Sequence, residues 1–81
     1  MTNLEKYNEA FVEALEIEQG QLVGLTYNSI VTWDSIGHMA LISALEKSFS
    51  IPEIEMDDML DIESYENGFA IIAKYGVDFE T

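Results

Sequence analysis

Cysteine is absent from the chain, proline and tryptophan occur once each, and only three residues are basic. Each shortage excludes something. Without cysteine there is no disulfide staple, no thiol nucleophile and no cysteine metal site. Three basic residues stand against 16 acidic ones, for a net charge of −13. Such a chain repels the phosphates of a nucleic acid, and an anionic membrane surface is disfavoured on the same grounds. No apolar run approaches the length of a membrane span, and the first residues lack the basic stretch and apolar core of a signal peptide. The expectation is a cytoplasmic protein. The lone histidine, His38, has no second histidine or cysteine to share a metal with. At 81 residues there is room for one domain, 1–81, and one small core. An enclosed active site would consume most of that core, so catalysis by this chain alone is not expected.

What is present is apolar patterning in an acidic background. A hydrophobic content of 48% is too rich for a disordered acidic tail. Leu4, Tyr7, Phe11, Ala14 and Leu15 recur at helical spacing, with Glu5, Lys6, Asn8, Glu9, Glu13 and Glu16 on the other side. They predict a first helix from Asn3 to Ile17, capped by Thr2 or Asn3 and stopped by Gly20. From Glu18 to Trp33 the pattern breaks down into a long loop with a turn at Asn28-Ser29. Leu22, Val23, Leu25, Tyr27, Ile30 and Val31 predict that this loop is packed rather than solvated. A second helix is expected over Ser35–Ser48, with Leu41, Leu45 and Phe49 on one face and Ile42 beside it. Pro52 ends it, because the residue before a proline is pushed into extended geometry. A short third helix is expected near Asp57 to Asp61. The fourth is expected over Tyr65–Lys74, capped by Ser64, buried through Tyr65, Phe69, Ile72 and Ala73, and terminated by Gly76. Val77 to Thr81 reads as a loose tail unless Val77 and Phe79 fold back. The acids at 53–63 do not make an EF-hand loop, since Ile62 stands where the turn glycine is required.

The candidate site is Val31-Thr32-Trp33-Asp34-Ser35-Ile36-Gly37-His38-Met39. With Asp34 as N-cap, its carboxylate takes the first-turn N–H groups and the Ser35 hydroxyl has no structural duty. Ser35 then stands beside the positive end of the helix dipole, a favourable place for an attached phosphate. Trp33 and His38 are placed to join as a staple across the helix start. His38 is also the only base near Ser35 in sequence, but no third group orients it.

Asp34-Ser35-Ile36 opening a mid-chain helix in a short acidic chain resembles the acyl carrier protein family. The stretch Trp33-Asp34-Ser35-Ile36-Gly37-His38-Met39 is similar to discrete carriers in particular. The resemblance covers Leu4 to Tyr75. It implies an all-α fold: a small four-helix bundle, three main helices plus a short third one, with a long loop between the first and second. It further implies that Ser35 carries 4′-phosphopantetheine donated by coenzyme A, that Asp34 caps the helix beside it, and that acyl or aminoacyl intermediates ride on the arm as thioesters. The implied partners are a phosphopantetheinyl transferase, an acyl- or aminoacyl-activating ligase, and acyltransferase or synthase enzymes with basic docking patches. They would meet a monomer at Ile36, Met39 and the acidic Glu46. Gly37 departs from the commoner carrier pattern, which often has an acidic residue there. This departure points towards a peptide, polyketide or surface-saccharide pathway, and suggests closer access to the backbone for a partner or the arm. The alternative from charge alone is a non-catalytic acidic helical module that binds a basic protein surface. A small hydrolase using Ser35 and His38 is the third reading.

Overall fold

A computed structural model describes residues 1–79, and among these the fold is all-helical. Four α-helices follow in order: α1 Asn3–Leu15, α2 Ser35–Ser48, α3 Met56–Asp61 and α4 Tyr65–Ala73. No strand occurs among the described residues beyond one isolated antiparallel bridge, Thr26 to Ser64. No helix among them is long and apolar enough to cross a membrane.

Helix α1 starts with a capping box. Thr2 accepts from the Glu5 N–H while the Glu5 carboxylate accepts from the Thr2 N–H. It buries Tyr7, Ala10, Phe11 and Leu15, whereas Leu4, expected in the stripe, is exposed. The helix ends at Leu15 rather than Ile17. Glu16 turns left-handed at φ 56°, and the Ile17 N–H reaches back to the Val12 carbonyl. Helix α2 ends in the same way: Ser50 is left-handed at φ 54° and the Ile51 N–H reaches the Glu46 carbonyl. Both are Schellman-type ends in which a non-glycine residue takes the left-handed position and the isoleucine after it is buried. The terminators are therefore Glu16 and Ser50, each ahead of the expected Gly20 and Pro52.

The core runs from α1 into the α1–α2 connection. Leu22 and Leu25 are buried there, but Val23 and Val31, expected to pack, are 86% and 92% exposed. A one-turn 3-10 helix at Gln19–Gln21 is the connection's only helical piece. Backbone bonds tie the connection to the start of α4: the Tyr27 N–H to the Glu63 carbonyl at 2.7 Å and the Tyr65 N–H to the Leu25 carbonyl at 2.9 Å. The Gly24 N–H adds a bond to the Glu66 carboxylate at 2.8 Å.

Helix α4 has its own capping box from Ser64 and Asn67. It buries Ile72 and Gly68, while Ala73 faces out against expectation. Gly68 is required by packing: a Cβ there would sit 2.1 Å from the Tyr7 hydroxyl, which donates to the Tyr65 carbonyl. The described part of the tail is not loose. Asn3 Nδ2 donates to the Asp78 carbonyl, and the Phe79 ring packs 5.0 Å from Phe69 and 5.3 Å from Tyr7. The rest of that expectation, Glu80 and Thr81, lies outside the described residues.

Candidate functional site

Asp34 Oδ1 accepts from the Gly37 N–H at 2.8 Å, so the cap of α2 is the aspartate and not the serine. Ser35 is exposed as the first helical residue, and its Oγ lies 3.3 Å from the Tyr27 hydroxyl. The backbone N–H groups of Ser35 and Ile36 belong to the first turn, where no intrahelical acceptor exists. An oxygen nucleophile on the surface thus stands against the positive end of a fourteen-residue helix.

Beneath Ser35 lies an aromatic layer. Trp33 is wholly buried and its ring lies nearly parallel to that of His38, with planes 15° apart and centroids 6.2 Å apart. Tyr27 meets both rings edge-on. Trp33 Nε1 donates to His38 Nδ1 at 3.0 Å, which places the imidazole proton on Nε2. Nε2 then donates to the Met59 carbonyl at 2.7 Å and ties α2 to α3. The expected staple is therefore a hydrogen-bonded joint with a third member in α3. Both nitrogens of His38 are engaged, so in this arrangement the imidazole does not act as a base for Ser35.

Gly37 has a different reason for being glycine than the one expected. A Cβ at 37 would lie 1.8 Å from the Thr32 carbonyl oxygen and 3.0 Å from its carbon. The close approach is made by the chain's own backbone, as the segment before Trp33 folds over the start of α2. An acidic residue does not fit there without moving that segment.

Ile36 is 81% exposed and Met39 53%. On α3, Met56 and Leu60 are 71% and 65% exposed. An open groove of about 370 Å³ runs beside Ser35, walled by Tyr27, His38, Met39, Met59, Leu60 and Ile62, with Glu63 also lining it. Glu46, expected on the partner face, has an internal partner. It is half-buried and its carboxylate accepts from the Ile54 N–H at 2.8 Å, bracing the α2–α3 connection.

One charged cluster lies away from the serine. The buried Asp58 of α3 pairs with Lys74 and accepts from the Tyr75 hydroxyl at 2.6 Å, and that hydroxyl accepts from the Glu55 N–H at 2.9 Å. The Lys74 hydrogen bond, then that from Tyr75, holds the Asp58 carboxyl below its ordinary range, and the same pairing raises Lys74. Sequence reading lumped Asp58 with its acidic neighbours because its partners lie 16 and 17 residues away. No cluster of three potential metal ligands occurs among the described residues.

No family model, no characterised protein and no solved structure matches this chain.

Proposed function

We propose that this protein is a discrete carrier of the acyl carrier type, with Ser35 as the attachment point for 4′-phosphopantetheine. The supporting observation is that Asp34 caps α2, leaving the Ser35 hydroxyl exposed at the helix start without a capping duty. The residues fit the group. The serine Oγ is the phosphodiester acceptor, the first-turn N–H groups and helix dipole favour the phosphate, and apolar side chains flank the arm's departure point. When bound, the group supplies a thiol that holds an acyl or aminoacyl unit as a thioester. The protein's part is position and recognition.

In this reading the four helices form a small bundle, and residues 16–34 are its long first connection. Ile36 and Met39 meet the transferase, the loading ligase and the acyltransferase or synthase, together with Leu60 across the groove. The net charge of −13 favours partners with basic rims, with faster encounter at low salt. A histidine engaged on both nitrogens speaks against an autonomous Ser35–His38 hydrolase. The acidic interaction module remains the second reading, favoured by the same exposed apolar residues, and it requires no modification.

The test is intact mass after incubation with coenzyme A, magnesium and a broad-specificity phosphopantetheinyl transferase. One added arm on wild type and none on Ser35→Ala is the expected result. No addition with two unrelated transferases returns the argument to the acidic module.

A further inference from the structure

We propose that Tyr27 is a positioning residue for the loading of Ser35: its hydroxyl steers Oγ before the arm is attached and donates to the arm's phosphate afterwards. The proposal rests on the carrier reading and assigns a partner side chain to the same serine.

The chain between the two residues folds back to bring them together. Asn28 is left-handed at φ 67°, a region that asparagine enters more readily than most residues. Its N–H donates to the Trp33 carbonyl at 3.0 Å, and the Ser29 hydroxyl accepts from the Thr26 N–H at 3.1 Å. The Tyr27 N–H is tied to the Glu63 carbonyl. The ring lies edge-on to Trp33 and His38, with centroids 6.2 and 5.7 Å away. Backbone and ring are both held, and the phenol oxygen stands 3.3 Å from Oγ.

Two observations place the role of this hydroxyl at the serine. Packing against Trp33 and His38 needs only the ring, which a phenylalanine would supply. Neither the Tyr27 nor the Ser35 hydroxyl has another hydrogen-bond partner among the described residues. The other polar groups nearby are engaged: Asp34 with the Gly37 N–H, and His38 with Trp33 and the Met59 carbonyl. Hydroxyl pairs ordinarily close to about 2.5–3.0 Å. At 3.3 Å the phenol is held beside Oγ without having reached its best acceptor.

Phosphate supplies that acceptor. In loading, Oγ attacks the β-phosphorus of coenzyme A. The Oγ–P bond forms, the pyrophosphate P–O bond breaks, an adenosine bisphosphate leaves with the electron pair, and the Oγ proton passes to a base of the transferase. With the Tyr27 O–H donating to one Oγ lone pair, the serine rotor is restricted and its own proton is left for that base. Once esterified, Oγ accepts poorly, while the phosphate bonded to it carries a charge. None of the chain's three basic residues lines the groove beside Ser35. The charge is therefore met by the first-turn N–H groups and by the Tyr27 O–H, in a charge-assisted bond stronger than a neutral one.

Tyr27→Phe keeps the ring and removes the hydroxyl. With coenzyme A, magnesium and a phosphopantetheinyl transferase, its kcat for loading should fall about two- to tenfold. That is the conversion of about 0.5–1.5 kcal/mol for one neutral hydrogen bond. Its KM should stay within about twofold of wild type, since the hydroxyl acts after docking. Phosphorus NMR on fully loaded protein gives a readout independent of rate. The resonance of loaded wild type should differ from that of the same protein unfolded in urea, and Tyr27→Phe should move it towards the unfolded position. In wild type alone, loading should shift the Tyr27 Cζ resonance and leave those of Tyr7, Tyr65 and Tyr75 in place, which decides the matter if the variant does not fold. Wild-type kcat in folded Tyr27→Phe, a phosphorus resonance indifferent to the hydroxyl, or an unmoved Tyr27 Cζ would each overturn the proposal while leaving the carrier reading intact. No arm on wild-type Ser35 by intact mass would overturn both.

Discussion

Two regions of this molecule are held together by different physics. Where α1, α4 and the returning chain meet, Tyr7, Phe11, Tyr65, Phe69 and Phe79 form a continuous aromatic cluster. On the α3 side of Ser35 the apolar cover is thinner. Helix α3 has six residues, no side-chain cap, and exposed Met56 and Leu60. Besides the half-buried Met59 and the anchors Ile54 and Ile62 on either side of it, α3 is held by two polar ties: His38 to the Met59 carbonyl, and Asp58 to Lys74 and Tyr75. An aromatic cluster loses stability in large steps when truncated. A region fixed by a few directed bonds can be altered bond by bond while the fold persists.

Phe11→Ala tests the packed end and should have the largest effect. The ring is wholly buried against Tyr7, Trp33 and Tyr65, so a loss of about 3–5 kcal/mol is expected in denaturant unfolding. In a domain this small, that loss can exceed its total stability. Gly37→Asp comes next. Its Cβ meets backbone rather than a flexible side-chain end, and overpacking of this kind costs about 1–3 kcal/mol. Thermal unfolding should register the loss, and Asn at the same position should do equal harm, since the clash is steric.

The polar ties respond to pH instead. The Asp58 carboxyl is held down by Lys74 first and Tyr75 second, so its stabilisation is fully present above the unfolded carboxyl value of about 3.9. It is lost as pH falls through the lower folded value. Lys74 is raised, so its part is fully present below its unfolded value and disappears as pH rises through the folded one. Melting followed against pH should therefore show Asp58→Asn below wild type at neutrality, with the gap closing in acid. Lys74→Met should shift the acid-side loss to higher pH. A gap that widened in acid would refute this account of the tie. The smallest stability effects belong to the site itself. Ile36→Asp and Ser35→Ala should each change stability by no more than about 0.5 kcal/mol. The first should nevertheless slow transfer of the arm to Ser35, and the second should abolish it.

Elements defined by neighbours in sequence were legible, and those defined by distant contacts were not. Helix α2 runs over the expected Ser35–Ser48, and the Asp34, Ser64 and Thr2 caps are all local devices reaching three residues. The terminators were misplaced because Glu16 and Ser50 are left-handed without being glycine, for which composition offers no signal. Apolar character in the α1–α2 connection could not separate the buried Leu22 and Leu25 from the exposed Val23 and Val31, since that segment lacks a helical period. The Asp34 cap and the exposure of Ser35, Ile36 and Met39 were readable. The reason for Gly37, the bracing role of Glu46 and the Met59 end of the His38 joint all depend on what the fold brings back across space.

That joint gives the protein a built-in optical gauge. Its single tryptophan is Trp33, buried and hydrogen-bonded through the indole nitrogen to an imidazole that holds α3. Intrinsic emission excited at the indole band therefore comes from one place, the joint under Ser35. Unseating α3 would take the Met59 carbonyl from His38, release the imidazole that accepts from the indole and admit water, shifting the emission to the red before α1 and α4 lose their helical signal. The state of the site can thus be followed in real time with no label attached.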